Sequence, residues 1–181
     1  MKLEVLEKSV EIPQGVVLSY DHFILTIKGP KGEVRRKLLP RLKVIVDGSN
    51  VKLQINDVKR KEKRIFFTHL AHLRNMLKGV VLGYNYKLKI CSGHFPMSVN
   101  VVDNKFVVVK NFLGEKIPRK GVIIEGVRVM IKGEFIDVDG YDLEKVGQTA
   151  ANIEKATVIK GRDRRVFQDG CYIIEKDGRK I

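Results

Sequence analysis

Cysteine is nearly absent from the 181 residues. Only Cys91 and Cys171 occur, far apart and without a C-x-x-C pattern, so neither a disulfide framework nor a zinc module is indicated, and two buried free thiols are the simplest reading. No apolar run approaches the roughly 20 residues a membrane span needs, and no long basic amphipathic helix offers a membrane-surface face. The opening M-K-L-E-V-L-E-K-S-V puts acidic residues where a signal peptide needs an unbroken apolar core, so the chain is expected to stay in the compartment where it is made. The phosphate-cradling pattern G-x-x-x-x-G-K-[ST] is missing, which leaves Gly29 and Gly32 as turn residues. Acidic residues are scarce too: 21 Asp and Glu face 35 Lys and Arg, a net charge of +14 with a pI near 9.8. That surplus implies a polyanionic partner, most commonly a nucleic acid, because each neutralised phosphate releases condensed counterions.

An ordinary 44% apolar content argues for a globular chain, with one large domain or two small ones. Its most concentrated feature is residues 159–172, I-K-G-R-D-R-R-V-F-Q-D-G-C-Y. Lys160, Arg162, Arg164 and Arg165 project from a loop in this reading. Phe167, Cys171 and Tyr172 pin the loop's end to a core, with Asp169-Gly170 as the reversal. A guanidinium stays charged and meets phosphate oxygens with two parallel hydrogen bonds, though a charge run by itself is equally a solvated loop.

Hydrophobic periodicity supplies the framework. Pro13-Gln14-Gly15 breaks the first apolar segment, and the first strand is expected after that break. Val16, Leu18 and Tyr20 alternate, as do Phe23, Leu25 and Ile27, and Gly29-Pro30-Lys31-Gly32 turns the chain. A hairpin follows around Asp47-Gly48-Ser49-Asn50. The basic run K-R-K-E-K-R at 59–64 reads as a solvated loop, with contact to RNA as the alternative, ahead of a helix whose stripe is Phe66, Leu70, Leu73, Leu77 and Val80 or Val81, ending at Gly83. Strand patterns then resume: Tyr84, Tyr86, Leu88 and Ile90 on one face with Lys87 and Lys89 on the other, then hairpins around Asp103-Asn104 and Lys132-Gly133-Glu134. A second helix capped by Asp142 carries Leu143, Val146, Ala150 and Ile153.

The halves match in kind and order. Gly32-Glu33 and Gly114-Glu115 are 82 residues apart, Gly48 and Gly133 are 85 apart, and each half ends in a helix. The expected fold is therefore α+β, with two tandem duplicated domains, residues 1–83 and 84–181, each a small antiparallel sheet packed against one helix. Only the second carries a basic loop after its helix, so the C-terminal half is expected to hold the main nucleic-acid surface.

Catalytic and metal chemistry find little support. His69 and His72 are three apart without a placed acidic or thiol ligand, and Cys91 with His94 lacks a third partner or an oxyanion hole. No catalytic residue, metal or cofactor is assigned. An RNA-processing enzyme using Cys91, His94 or a bound metal, and a protein-interaction module with a basic surface, stand as alternatives.

The blocks H-F-P from His94, N-F-L-G-E-K from Asn111, Q-T-A-A-N-I from Gln148 and R-R-V-F-Q-D-G-C-Y from Arg164, with I-P-Q-G-V and N-M-L-K-G-V-V-L-G-Y, fall in one order across the whole chain. Together they resemble the universal large-subunit ribosomal protein family numbered six in bacteria and nine in eukaryotes, in its archaeal and eukaryotic branch. The resemblance implies a duplicated α+β fold and no enzymatic activity. It also implies a cytoplasmic place on the ribosome and binding to large-subunit ribosomal RNA near the elongation-factor docking region, with neighbouring ribosomal proteins as partners and neither membrane attachment nor a homo-oligomer. The implied RNA contacts are Lys160, Arg162, Arg164 and Arg165, with Lys87, Lys89, His94, Arg119 and Lys120 as further candidates. Cys171 stands where the family usually has a branched apolar residue, and a buried thiol fills similar space.

Overall fold

The computed structural model describes residues 3–181. Met1 and Lys2, the head of the segment weighed against a signal peptide, lie outside the described residues. The chain divides into two compact units, Met1–Gly83 and Tyr84–Ile181.

The N-terminal unit runs β1 (Leu3–Glu11), β2 (Val17–Asp21), β3 (Ile24–Gly29), β4 (Gly32–Lys37), β5 (Lys43–Asp47), β6 (Asn50–Val58) and α1 (Arg60–Val81). Two antiparallel sheets form, in the orders β1-β6-β5 and β2-β3-β4. The first strand precedes the Pro-Gln-Gly break instead of following it. Its period is hidden because Lys8 stands opposite Leu53, between Leu6 opposite Ile55 and Val10 opposite Val51, so the face meeting the buried side of β6 does not read as apolar. Phe23 leaves the expected face as well: it sits in the β2–β3 turn at φ +63° and is 44% exposed.

The basic run 59–64 is no loop; α1 begins at Arg60 and absorbs it. Lys and Arg are good helix formers, and no Gly or Pro interrupts the segment. Phe66, Leu70, Leu73, Met76, Leu77 and Val80 form the buried stripe. The helix end meets β3 so closely that a Cβ on Gly29 would lie 2.8 Å from Val80 Cγ2, while the Lys31 N–H donates to the Val80 carbonyl at 3.0 Å. Gly83, at φ +75°, stops the helix as expected.

The C-terminal unit repeats the order with β7 (Tyr84–Cys91), β8 (Ser98–Val102), β9 (Phe106–Lys110), β10 (Arg119–Val122), β11 (Val127–Lys132), β12 (Phe135–Gly140) and α2 (Leu143–Ala156). It then adds β13 (Gly170–Lys176) and β14 (Arg179–Lys180). The sheet order β11-β12-β7 mirrors β5-β6-β1, and β13 with β14 extends it beyond β7; β10-β9-β8 mirrors β4-β3-β2. Gly48 and Gly133 occupy equivalent turns, β5–β6 and β11–β12. Asp142 caps α2 by accepting the Glu144 N–H at 2.9 Å, and Val146, Ala150 and Ile153 pack fully buried against Leu88, Ile136 and Val138. Two small antiparallel α+β domains in tandem are thus the architecture.

Candidate nucleic-acid interface

Three connections of the C-terminal unit converge: residues 92–97 between β7 and β8, residues 111–118 between β9 and β10, and residues 157–169 between α2 and β13. Asp169, at the head of β13, fastens the first to the third. Its carboxylate accepts the N–H of Gly93 at 2.5 Å and of His94 at 3.0 Å through Oδ1, and Oδ2 lies 2.6 Å from His94 Nδ1. Burial alone would raise this carboxyl; the N–H and ring of His94 and the N–H of Gly93 outweigh that and hold it below the usual range. Asp169 is thus a structural acceptor, 3% exposed, leading into β13 where a reversal was expected.

Phe167 adds a ring contact, its centroid 4.6 Å from that of His94, and the Arg162 guanidinium lies 4.9 Å from the same ring. Phe167 and Cys171 do anchor the loop, Cys171 fully buried with its thiol pushed up to about 12 by burial. Tyr172 does not: alternation along β13 turns it to the opposite face, 38% exposed, with its hydroxyl donating to the Asp169 carbonyl at 3.2 Å. The α2 end is tied in through Thr157, whose hydroxyl oxygen accepts the Cys171 N–H at 2.9 Å.

The nine sequence candidates fall in different places. Lys160, Arg162 and Arg164 stand exposed on the 157–169 connection, Arg164 beside Tyr172 at a hollow of about 250 Å³. Arg165 shares that loop, but its fork is engaged by Asp163, with Nη2 2.8 Å from Oδ2 and Nε 3.1 Å from Oδ1. The hydrogen bonds from Arg165's side chain and backbone hold the Asp163 carboxyl below its ordinary range. Arg119 is an internal strut. It grips Glu115 through Nε at 2.8 Å, donates to the carbonyls of Ala156 and Val158, and lies 4.3 Å from the Phe112 ring. That hydrogen bond from Arg119 is also the first cause of Glu115's lowered pKa. Lys120 stands on β10 near the Phe106 ring, and Lys87 and Lys89 lie on the open face of β7, with Lys89 between Phe135 and Tyr172 in register. His94 fixes the loops from within the cluster.

Two features of the cluster are missing from the sequence candidates. Exposed Lys116 enters with the 111–118 connection, where Asn111 Nδ2 donates to the Pro96 carbonyl at 2.9 Å. Its signal was the N-F-L-G-E-K block. Asp169 had none, because its partners lie 75 and 76 positions away.

Among the described residues no group of three or more His, Cys, Asp or Glu is placed to hold a metal, and no helix is long and apolar enough to cross a membrane. His94, the base of the enzymatic alternative, has its Nδ1 on Asp169 and its ring against Phe167. Fold and site together define a class: a duplicated basic scaffold that displays cations from loops fixed by a buried carboxylate.

The family model described as Ribosomal protein L6 matches residues 12–83 and 95–170, one segment in each unit. A "Large ribosomal subunit protein uL6" from Saccharolobus solfataricus is 44% identical over 179 residues, covering 98% of both chains. Proteins of the same name from Methanobrevibacter smithii and Staphylothermus marinus are 42% and 44% identical, over 95% and 97% of this chain and 97% of each relative. The chain therefore belongs to the ribosomal protein L6 family, whose relatives are named as ribosomal proteins and not as enzymes.

Proposed function

We propose that the chain is a structural protein of the large ribosomal subunit, with no catalytic role, that binds large-subunit ribosomal RNA through the three-loop cluster near the elongation-factor docking region. The observation that carries this reading is the convergence of Lys116, Lys160, Arg162 and Arg164 on loops tied together by Asp169, Asn111 and Arg119, in a chain of the L6 family. Duplex RNA presents phosphates and 2′-hydroxyls more readily than base edges, so recognition by cations on a rigid support reads shape. Arg165, Lys87, Lys89 and Lys120 are secondary contacts in this reading, while Arg119 and His94 position the loops.

The test is binding of the full chain to large-subunit ribosomal RNA fragments across a salt series. Arg162→Ala with Arg164→Ala lowers the slope of log affinity against log salt by about 0.7 to 0.9 for each phosphate left without its cation. An unchanged slope removes these residues as phosphate ligands. Co-sedimentation with large subunits that survives ribonuclease treatment would favour protein-mediated docking instead.

A further inference from the structure

Charge divides unevenly between the units. Residues 1–83 carry 17 Lys and Arg against 8 Asp and Glu, a net +9; residues 84–181 carry 18 against 13, a net +5. The larger surplus thus lies on the unit that the loop cluster does not use.

It is concentrated at one end of α1. Lys59, Arg60, Lys61, Lys63 and Arg64 occupy the cap and first turns, with Glu62 the acid among them. That placement works against the free protein. A helix N-terminus already carries the positive end of the macrodipole. Lys59 supplies no side-chain cap, and Lys59 with Lys63 and Arg60 with Arg64 are like charges one turn apart. Glu62 relieves little of this on the outside, because its side chain is turned in, 15% exposed and 3.6 Å from Arg41 Nη1. Two hollows adjoin the array, one of about 430 Å³ lined by Arg41, Lys43 and Glu62, and one of about 360 Å³ lined by Lys61, Arg64 and exposed Leu39. The cations are therefore spread over a loop, β5 and α1, an extended footprint suited to a chain of charges rather than to a single ion.

We infer that this end of the N-terminal unit is a second binding surface, for the phosphate backbone of RNA. The helix fixes the spacing of its cations without help from loops, and a polyanion laid across them removes the repulsion that the free protein bears. The inference goes beyond the loop-cluster reading and does not require it.

The experiment uses the full chain, a 20-base-pair RNA duplex of arbitrary sequence as probe, and two substitution sets, K61Q/K63Q/R64Q on the helix and R162Q/R164Q on the loop. In the R162Q/R164Q background the duplex stays bound, and adding the helix set weakens binding about ten-fold or more near physiological salt. The helix set alone raises the melting midpoint of the free protein by about 2–4 °C, because it removes charges that oppose the dipole. Weaker RNA binding together with higher stability is the signature of a functional patch. Unchanged RNA affinity, or a lowered melting midpoint, overturns the inference; so does binding to polyglutamate in place of RNA, which would assign the surface to an acidic protein. If R162Q/R164Q alone changes nothing while the helix set weakens binding, the loop-cluster reading fails and this surface stands.

Discussion

The two units share one strand order around one helix and mount their cations differently. In the N-terminal unit the charges ride on α1, so backbone hydrogen bonds fix their spacing while the helix dipole opposes them. In the C-terminal unit they ride on loops, which have no repeating hydrogen-bond ladder, and their shape depends on Asp169, Phe167 and Arg119. The difference traces to β13, which pairs with β7 and carries Asp169 to the 92–97 connection. A cation array on a helix is self-ordered and electrostatically strained; one on loops is relaxed and needs a tether.

The hardest test of treating the units separately is to hollow out each core. Phe66 and Phe112 are both fully buried, and Phe66→Ala or Phe112→Ala should cost about 3–5 kcal/mol. Urea unfolding with a fluorescent probe in each unit should show each substitution lowering the transition of its own unit; joint melting in both variants would break the comparison. Next comes the tether. Asp169→Asn keeps the volume but removes the charge that accepts from Gly93 and His94, costing about 1–3 kcal/mol in the C-terminal unit and weakening RNA binding there. The helix surface should keep its affinity.

The pH dependence of that substitution sharpens the point. Asp169's folded pKa is depressed, so its contribution is complete above the unfolded value of about 4 and fades as pH falls through the lower folded value. Acid unfolding of the parent and of Asp169→Asn should therefore converge below about pH 4 and stay apart above it. The smallest effect is expected at Asp163→Asn, which preserves the acceptor for the Arg165 N–H but releases the guanidinium, and should tighten RNA binding a few-fold at low salt. Titration of an RNA fragment at two salt concentrations measures it.

Much of the scaffold was legible because its signals are local. Both helices, the Asp142 cap, the Gly83 stop and the hairpins of β5–β6, β8–β9 and β11–β12 come from periodicity and turn chemistry within a dozen residues. β1 was hidden because Lys8 interrupts its inward face. The start of α1 was hidden because a charge run suits a solvated loop and a helix turn equally well, Lys and Arg being good helix formers. At the site, the exposed cations of the 157–169 connection were visible as a charge run. Which of them are engaged was not: Arg165 closes on Asp163 and Arg119 on Glu115 through geometries that side-chain spacing leaves undetermined.

By itself the sequence determined the duplication, the two helical stripes, the hairpins and the basic surplus, since these depend on residue type and on spacing within a turn or a strand. Only the tertiary structure decided that Asp169 would meet His94 across 75 positions, that Arg119 would become a strut, and that the cations would divide between a helix end and a loop cluster. A buried carboxylate and an exposed one are the same letter; what separates them is which backbone N–H groups the fold brings within hydrogen-bond reach.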